Sequence, residues 1–501
     1  MMVGRFSEVA PPAEPLPGYP IVSRDTMRQR LHIGIRYILD LFPGARPILL
    51  NLVSSKFPYS DESKKIHLAF IDNLLRMREY SPDSRDIIEL ITSRAVKLDV
   101  EMQLDLEDMD DDTSAAVMAH FKPKETNDQP EGDDLDDSDT ESILSDTSDL
   151  DDEARRILKM RNHVSKLDTM LDTLFDAYSP SFADPDSPEA VSCYEDILSD
   201  FSNIILPTYK SRHTQFLVFY FAQKSPRLTE MFVGTLFNIA FESNRPNMVK
   251  QSAVAYLASF VARGAKVDSE QVQTIASILL NYMDYHRTNY EPDCQGPDIR
   301  RYTQFYALTQ GLLYLFCFRW RDLVNLESSS RRIDRDDAAS FLGQDLEWMD
   351  GLKTRLQANI YSKLNPLKIC SPVIVQEFAK LSHHLGLMYI YPRIESNKSI
   401  ILSQFVSGGY STGGALRDTG FDPQDEKWTQ LDPYFPFDPY QLPGQFRHRL
   451  DEDQIYVPWS SIPGLNRDDE DDSDASGLED GDEEDEDIEE DTATDVEDND
   501  N

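Results

Sequence analysis

Four consecutive helical periods between Ser225 and Trp320, divided by short breaks, constrain this chain most. Ser225–Phe241, Pro246–Arg263, Asp268–Arg287 and Ile299–Arg319 each read as a helix. Asp268 is placed to cap the third, with Gln271 as its reciprocal partner. Pro226 and Pro246 suit a first turn, and Gly264 marks a stop. Val254, Leu257, Ala258 and Val261 repeat at i, i+3, i+4, i+7, as do Val272, Ile275, Ala276 and Leu279. Ala253, Tyr256 and Phe260 make a second face of the same helix apolar, so it must pack between neighbours. Helix pairs opening at Ser225 and Asp268 are 43 residues apart, a HEAT or armadillo-type period. The expected fold is an all-α, HEAT-like helical-repeat solenoid.

Charge divides the chain into unlike parts. Of a formal net charge of −41, Glu101–Glu153 carries −19, from 21 acidic and 2 basic residues, and Asp468–Asn501 carries −21, from 21 acidic residues and no base. The rest is close to neutral. Dense like charge with little apolar content cannot offset the entropy of ordering, so a disordered acidic insertion and a disordered acidic tail are expected. They either solubilise the protein or engage basic partners. The densest cationic cluster, Arg331–Arg335, is offset by Asp334, Asp336 and Asp337, so no direct sequence-specific DNA binding is expected.

The chain divides into a Pro-rich, mobile leader (1–23), N-terminal helical repeats (24–100), the acidic insertion (101–153), a main solenoid (154–395), a Gly/Pro/aromatic strap (396–466) and the acidic tail (467–501). The N-terminal repeats comprise Thr26–Leu41, Arg46–Ser54, Ser63–Met77 and Ser84–Lys97, with Ser63 and Ser84 as caps. The main solenoid adds Ala154–Phe175, Tyr194–Leu206 and Lys210–Gln223 before the opening stretch. After it come Ala338–Tyr361, Ser371–Gly386 and a β-rich Leu387–Ile394. The strap interleaves Pro433, Pro436 and Pro439 with Tyr434, Phe435, Phe437 and Tyr440, and reads as ordered, non-helical chain anchored by its rings.

Catalysis finds no support. Gly408–Gly414 lacks the Lys-Ser or Lys-Thr of a phosphate loop. His383 and His384 are adjacent on a helix and point about 100° apart, which suits one packed and one solvent-facing ring better than a shared metal. Cys193, Cys294, Cys317 and Cys370 are too scattered for a disulfide framework or a zinc site, and Cys317 reads as core. No apolar run approaches the ~20 residues of a membrane span. No cofactor is implied, and a soluble protein of a reducing compartment is expected. Ser138, Ser148, Ser476, Thr492 and Thr494 each have a carboxylate three residues on, the pattern an acidophilic protein kinase reads, and phosphate on Ser476 would follow Ser473 by three. Incidental serines in acidic low complexity are the other reading.

Five blocks then occur in an order that resembles one family, the RNA polymerase I-specific transcription initiation factors of the TIF-IA type. They are SKFPYS at Ser55–Ser60, VKLDV at Val96–Val100, QSAVAYLASFVARG at Gln251–Gly264, NPLKICS at Asn365–Ser371 and PYFPFDP at Pro433–Pro439. The resemblance implies a nuclear, nucleolar HEAT-repeat adaptor that binds RNA polymerase I and bridges it to promoter-bound core factor for ribosomal RNA synthesis. Family members carry further repeats ahead of the segment equivalent to Thr26, so either the gene model is truncated, which is the expectation, or those repeats are dispensable. Ser54, Ser55 and Ser60 stand near the polymerase-facing edge. The alternative is an importin-like or scaffold solenoid binding basic cargo, against which the aromatic-Pro strap argues.

Overall fold

The computed structural model describes residues 2–8, 22–81, 84–107, 152–209, 211–325, 346–397 and 430–459. The described residues form helices and turns, with two isolated antiparallel bridges, Gly264–Tyr456 and Val324–Trp348. The N-terminal group is α1 (Arg24–Leu41), α2 (Arg46–Ser55), α3 (Lys64–Arg78) and α4 (Ser84–Glu107). Then come α5 (Asp152–Tyr178), α6 (Pro188–Asp200), a π-helical turn Phe201–Ile205 and α7 (Phe216–Ala222). The stretch that opened the sequence reading holds α8 (Pro226–Phe241), α9 (Asn247–Arg263), α10 (Ser269–Tyr290) and α11 (Thr303–Arg319). The last helices among the described residues are α12 (Leu352–Ile360), the single turn α13 (Pro366–Ile369), α14 (Pro372–His384), α15 (391–397) and α16 (Gln445–Glu452).

Local chemistry accounts for the starts. Ser23, Ser187, Ser225 and Asp268 accept the N–H groups of Thr26, Ala190, Leu228 and Gln271, satisfying donors that a helix leaves open. Packing follows the predicted pairing. α8 packs on α9, α10 on α11, and α9 on α11, with α14 continuing the row on the far side of α11. Every residue from Phe305 to Arg319 is buried, so α11 is the centre of the array. Gly311 lets it approach α9: a Cβ there would lie 3.2 Å from that of Ala258.

Several expectations need correction. The leader does not hang free throughout, for Val3 and Phe6 are buried and Asn73 Nδ2 donates to the Phe6 carbonyl at 3.2 Å. α4 runs on to Glu107, into the range assigned to the acidic insertion, because Met102 is buried against the body. Lys210–Gln223 is helical only from Phe216, since the Asp99 carboxylate takes the N–H groups of Arg212, His213 and Thr214. Asp298 likewise holds the N–H groups of Arg300 and Arg301 in a turn, so α11 starts at Thr303. Of Ala338–Tyr361, 338–345 lie outside the described residues and the helix begins after Gly351, at φ 75°. Leu387–Ile394 is helical only from 391, after a turn at Gly386 with φ 65°. His383 and His384 are both exposed. Ser63 accepts no capping bond through its side chain. The strap is not wholly non-helical, because Phe446 and Leu450, one turn apart and both buried, make α16.

Candidate functional site

Residues 430–459 cross α7, α9 and α11, dock on α5 through α16 and return to the ends of α9 and α11. Leu431 N donates to the Ile369 carbonyl at 2.8 Å. Gln310 joins the NPLKICS block to the residue just ahead of PYFPFDP, donating to the Asp432 carbonyl at 3.0 Å and accepting from Ser371 N at 2.8 Å. Gln215 Nε2 donates to the Pro436 carbonyl at 2.7 Å, and Ser259 Oγ accepts from Phe437 N at 3.0 Å. The fully buried Phe437 ring is set among Phe216, Phe219, Phe232, Tyr256 and Phe260. Further on, the Arg263 carbonyl accepts from Val457 N at 2.8 Å and its guanidinium lies 4.1 Å from the centroid of Phe318. Between these contacts α16 docks on α5, its Phe446 N–H accepted by Asp172 Oδ1 at 2.8 Å.

Beneath this strap, Asp99 of the VKLDV block ties the N-terminal repeats to the main solenoid. It is fully buried and accepts from three backbone N–H groups, from Thr214 Oγ1 and from His213 Nδ1 at 2.9 Å. Burial opposes its charge, yet the His213 partner and these bonds hold its carboxyl below the ordinary value. Periodicity gives no sign of this role, since the partners lie more than a hundred residues on. The only signal was an acid on an otherwise apolar helical face.

Ser54, Ser55 and Ser60 are brought together in one groove of about 280 Å³, between the end of α2, the loop after it and α4. Arg94 forms one wall. It donates to the Ser54 carbonyl at 3.1 Å, reaches Ser54 Oγ at 3.5 Å and lies 5.3 Å from the centroid of Phe57. Lys166, buried on α5, holds the loop from below through the carbonyls of Ser60 and Glu62. Burial brings its ammonium down to about 8 and keeps nearby His67 and His163 near 4, so both rings are neutral at neutral pH. Arg94 and Lys166 were not singled out from sequence; both sit inside ordinary helical periods. Ser55 Oγ donates to the Leu52 carbonyl at 2.9 Å and its residue stays exposed. Ser138, Ser148, Ser473, Ser476, Thr492 and Thr494 lie outside the described residues.

Seven large apolar side chains between Ile33 and Tyr59 are exposed among the described residues, including Tyr37 at 64%, Ile48 at 68% and Tyr59 at 77%. They lead from α1 and α2 to the groove. Exposed apolar side chains in such a run make this face a candidate contact surface. Among the described residues no group of His, Cys, Asp and Glu is arranged to hold a metal ion, and no helix is long and apolar enough to cross a membrane. Fold and site together define a helical-repeat protein with an exposed apolar face.

Residues 1–464 match the family described as RNA polymerase I specific transcription initiation factor RRN3. The chain belongs to this family, one of initiation factors and not of enzymes. It is 29% identical to the RNA polymerase I-specific transcription initiation factor rrn3 of Schizosaccharomyces pombe over 452 residues, 88% of this chain and 68% of the relative. The Saccharomyces cerevisiae protein is 24% identical over 468 residues, covering 86% and 71%. The Mus musculus protein is 27% identical over 448 residues, covering 87% and 61%. A crystal structure of RNA polymerase I transcription initiation factor Rrn3 superposes with a TM-score of 0.63 at 22% identity, over 92% of this chain and 77% of that one. The helical-repeat fold is therefore shared.

Proposed function

We propose that this chain binds RNA polymerase I through the face made by α1, α2 and the Ser54–Ser60 groove, and that the far part of the array meets promoter-bound core factor. The observation that carries this reading is the run of exposed apolar side chains from Ile33 to Tyr59, continuous in sequence with the serines. An elongated array suits a bridge, since distant repeats can hold two partners at once. The reading places the protein in the nucleus, at the nucleolus, where ribosomal RNA is made. An acidophilic protein kinase acting on Ser138, Ser148, Ser473, Ser476, Thr492 and Thr494 would add charge to segments already acidic, tuning electrostatics and leaving the fold alone.

The test is binding of the purified chain to RNA polymerases I, II and III, with Tyr37→Asp, Ile48→Asp and Ser55→Asp variants. Binding to polymerase I alone is expected, weakened by at least about tenfold when a charge enters this face, with unfolding unchanged. Equal binding to all three, retention by every variant, or capture of diverse basic cargo instead would overturn it.

A further inference from the structure

A second groove lies at the opposite end of the array. It encloses about 400 Å³ between α12 and the chain after α14, and its walls include Lys353, Gln357, Tyr361, His383, Met388 and Tyr389. None of the residues lining it is acidic. Lys353 Nζ donates to the Gly386 carbonyl at 3.3 Å, and among the described residues no carboxylate pairs with it. Tyr361 and Tyr389 are 45% and 57% exposed, and Tyr361 Oη donates to the Tyr389 carbonyl at 3.1 Å. The His383 ring stands 5.2 Å from that of Tyr389. Residues 346–397 carry 6 Lys and Arg against 4 Asp and Glu. A cation and imidazoles beside open aromatic faces fit an acidic chain with occasional apolar side chains.

Such a chain leaves the body at this end. Trp459 packs on Phe318, with centroids 4.8 Å apart, near the end of α11. α11 runs parallel to α14, because Gln310 meets Ser371 and Phe316 meets Phe378, so His383 lies at the same end. From α11 the chain passes through Trp320–Leu323, and Leu323 O accepts from Met349 N at 2.8 Å, four residues before Lys353. Beyond Trp459, the first carboxylate of the tail is Asp468. Nine residues span up to about 30 Å when extended, and more than thirty follow. Within the acid run stand Leu478, Ile488 and Val496.

We infer that the acidic tail of this chain, Asp468–Asn501, docks in the Lys353–His383–Tyr389 groove, its carboxylates facing the Lys353 ammonium and the His383 ring and its isolated apolar residues meeting the tyrosines. Tethering makes this an intramolecular contact with a high effective concentration, so weak individual contacts suffice. The occupied groove is closed to other polyanions, and an acidic partner gains it only by displacing the tail.

The test is carbodiimide cross-linking of the full chain at low concentration, with peptide mapping of the joined lysines. Tail carboxylates should join Lys353 at least about fivefold more often than Lys97, at the other end, and 0.5 M salt should abolish the preference. Links scattered over exposed lysines without preference would overturn the inference. So would links found only between differently labelled copies. The second measurement is backbone amide NMR of the tail in the full chain and in a Lys353→Glu, His383→Glu variant. Tail signals should be broadened in the parent and sharpen in the variant; the same line widths in both would refute docking. Neither measurement involves polymerase, so its failure is separate from that of the polymerase-binding face.

Discussion

The ring of Phe435 lies flat on that of Tyr314, with centroids 3.6 Å apart and planes 7° from parallel. Tyr314 Oη in turn accepts from Arg263 Nε at 3.0 Å. One residue of the strap thus reads the central helix and, through it, the end of α9.

Removing the buried rings should release the strap. Phe437→Ala empties a fully enclosed position and is expected to cost about 3–5 kcal/mol. A double-mutant cycle on Tyr314→Ala and Phe435→Ala should show a coupling of about 0.5–1.5 kcal/mol. Urea unfolding measures both, and additive effects for the pair would deny the stack any energetic role.

Arg263→Lys should be far from conservative. The guanidinium donates to Tyr314 Oη and to the Val457 carbonyl at 3.2 Å while lying over Phe318. A lysine ammonium cannot reproduce that planar fork. A loss of about 2–3 kcal/mol is expected, together with faster proteolysis after residue 440. A variant as stable as the parent would show that the ring contacts alone hold the strap.

Gly444 has an ordinary φ of −69°, so its need for glycine is spatial. A Cβ there would fall on the Asp168 carboxylate. Gly444→Ala should therefore loosen α16 from α5, seen as faster amide exchange at Phe446, and Asp168→Ala should restore protection by making room. Failure of that rescue would place the strain elsewhere.

Stability should respond to pH in two opposed ways. Burial, then the neighbouring Asp172, pushes the Asp168 carboxyl up to about 7; burial does the same for Asp200. Each binds its proton more tightly when folded, so its contribution is complete below about 4 and is lost as pH rises through about 7. Buried His67 and His163, held near 4, contribute fully above 6.5 and lose that contribution as pH falls through about 4. Asp168→Asn should make the slope of stability against pH more positive between about pH 4 and 7, by up to about 1.4 kcal/mol per pH unit. Urea midpoints across that range decide it: parallel curves for parent and variant would mean that Asp168 does not titrate there.

Much of the fold was legible because it is local. Helix starts at Pro226 and Ser269 repeat the 43-residue period, and Asp268 caps as its position implies. Phe435, Phe437 and Tyr440 are buried anchors, as their spacing among prolines indicated. What escaped was long-range. Asp99 decides where α7 begins from 113 residues away or more, and no window of periodicity contains both. α16 was readable in principle, from Gly444 followed by Phe446 and Leu450, but the prolines before it hid a short helix. Of the site, Ser54, Ser55 and Ser60 do share a groove, whereas its cations were invisible until the helices were packed.

The order of synthesis gives the strap one more meaning. Phe216, Phe219, Phe232 and Phe260 leave the ribosome some two hundred residues before Phe437, the ring they enclose. Until then the nascent array presents an open aromatic trench, the kind of surface on which chains stick to one another or to chaperones. Premature termination anywhere before residue 437 leaves that trench bare. Residues 430–459 thus decide whether that trench is covered, which separates chains made past residue 437 from those that stop short of it.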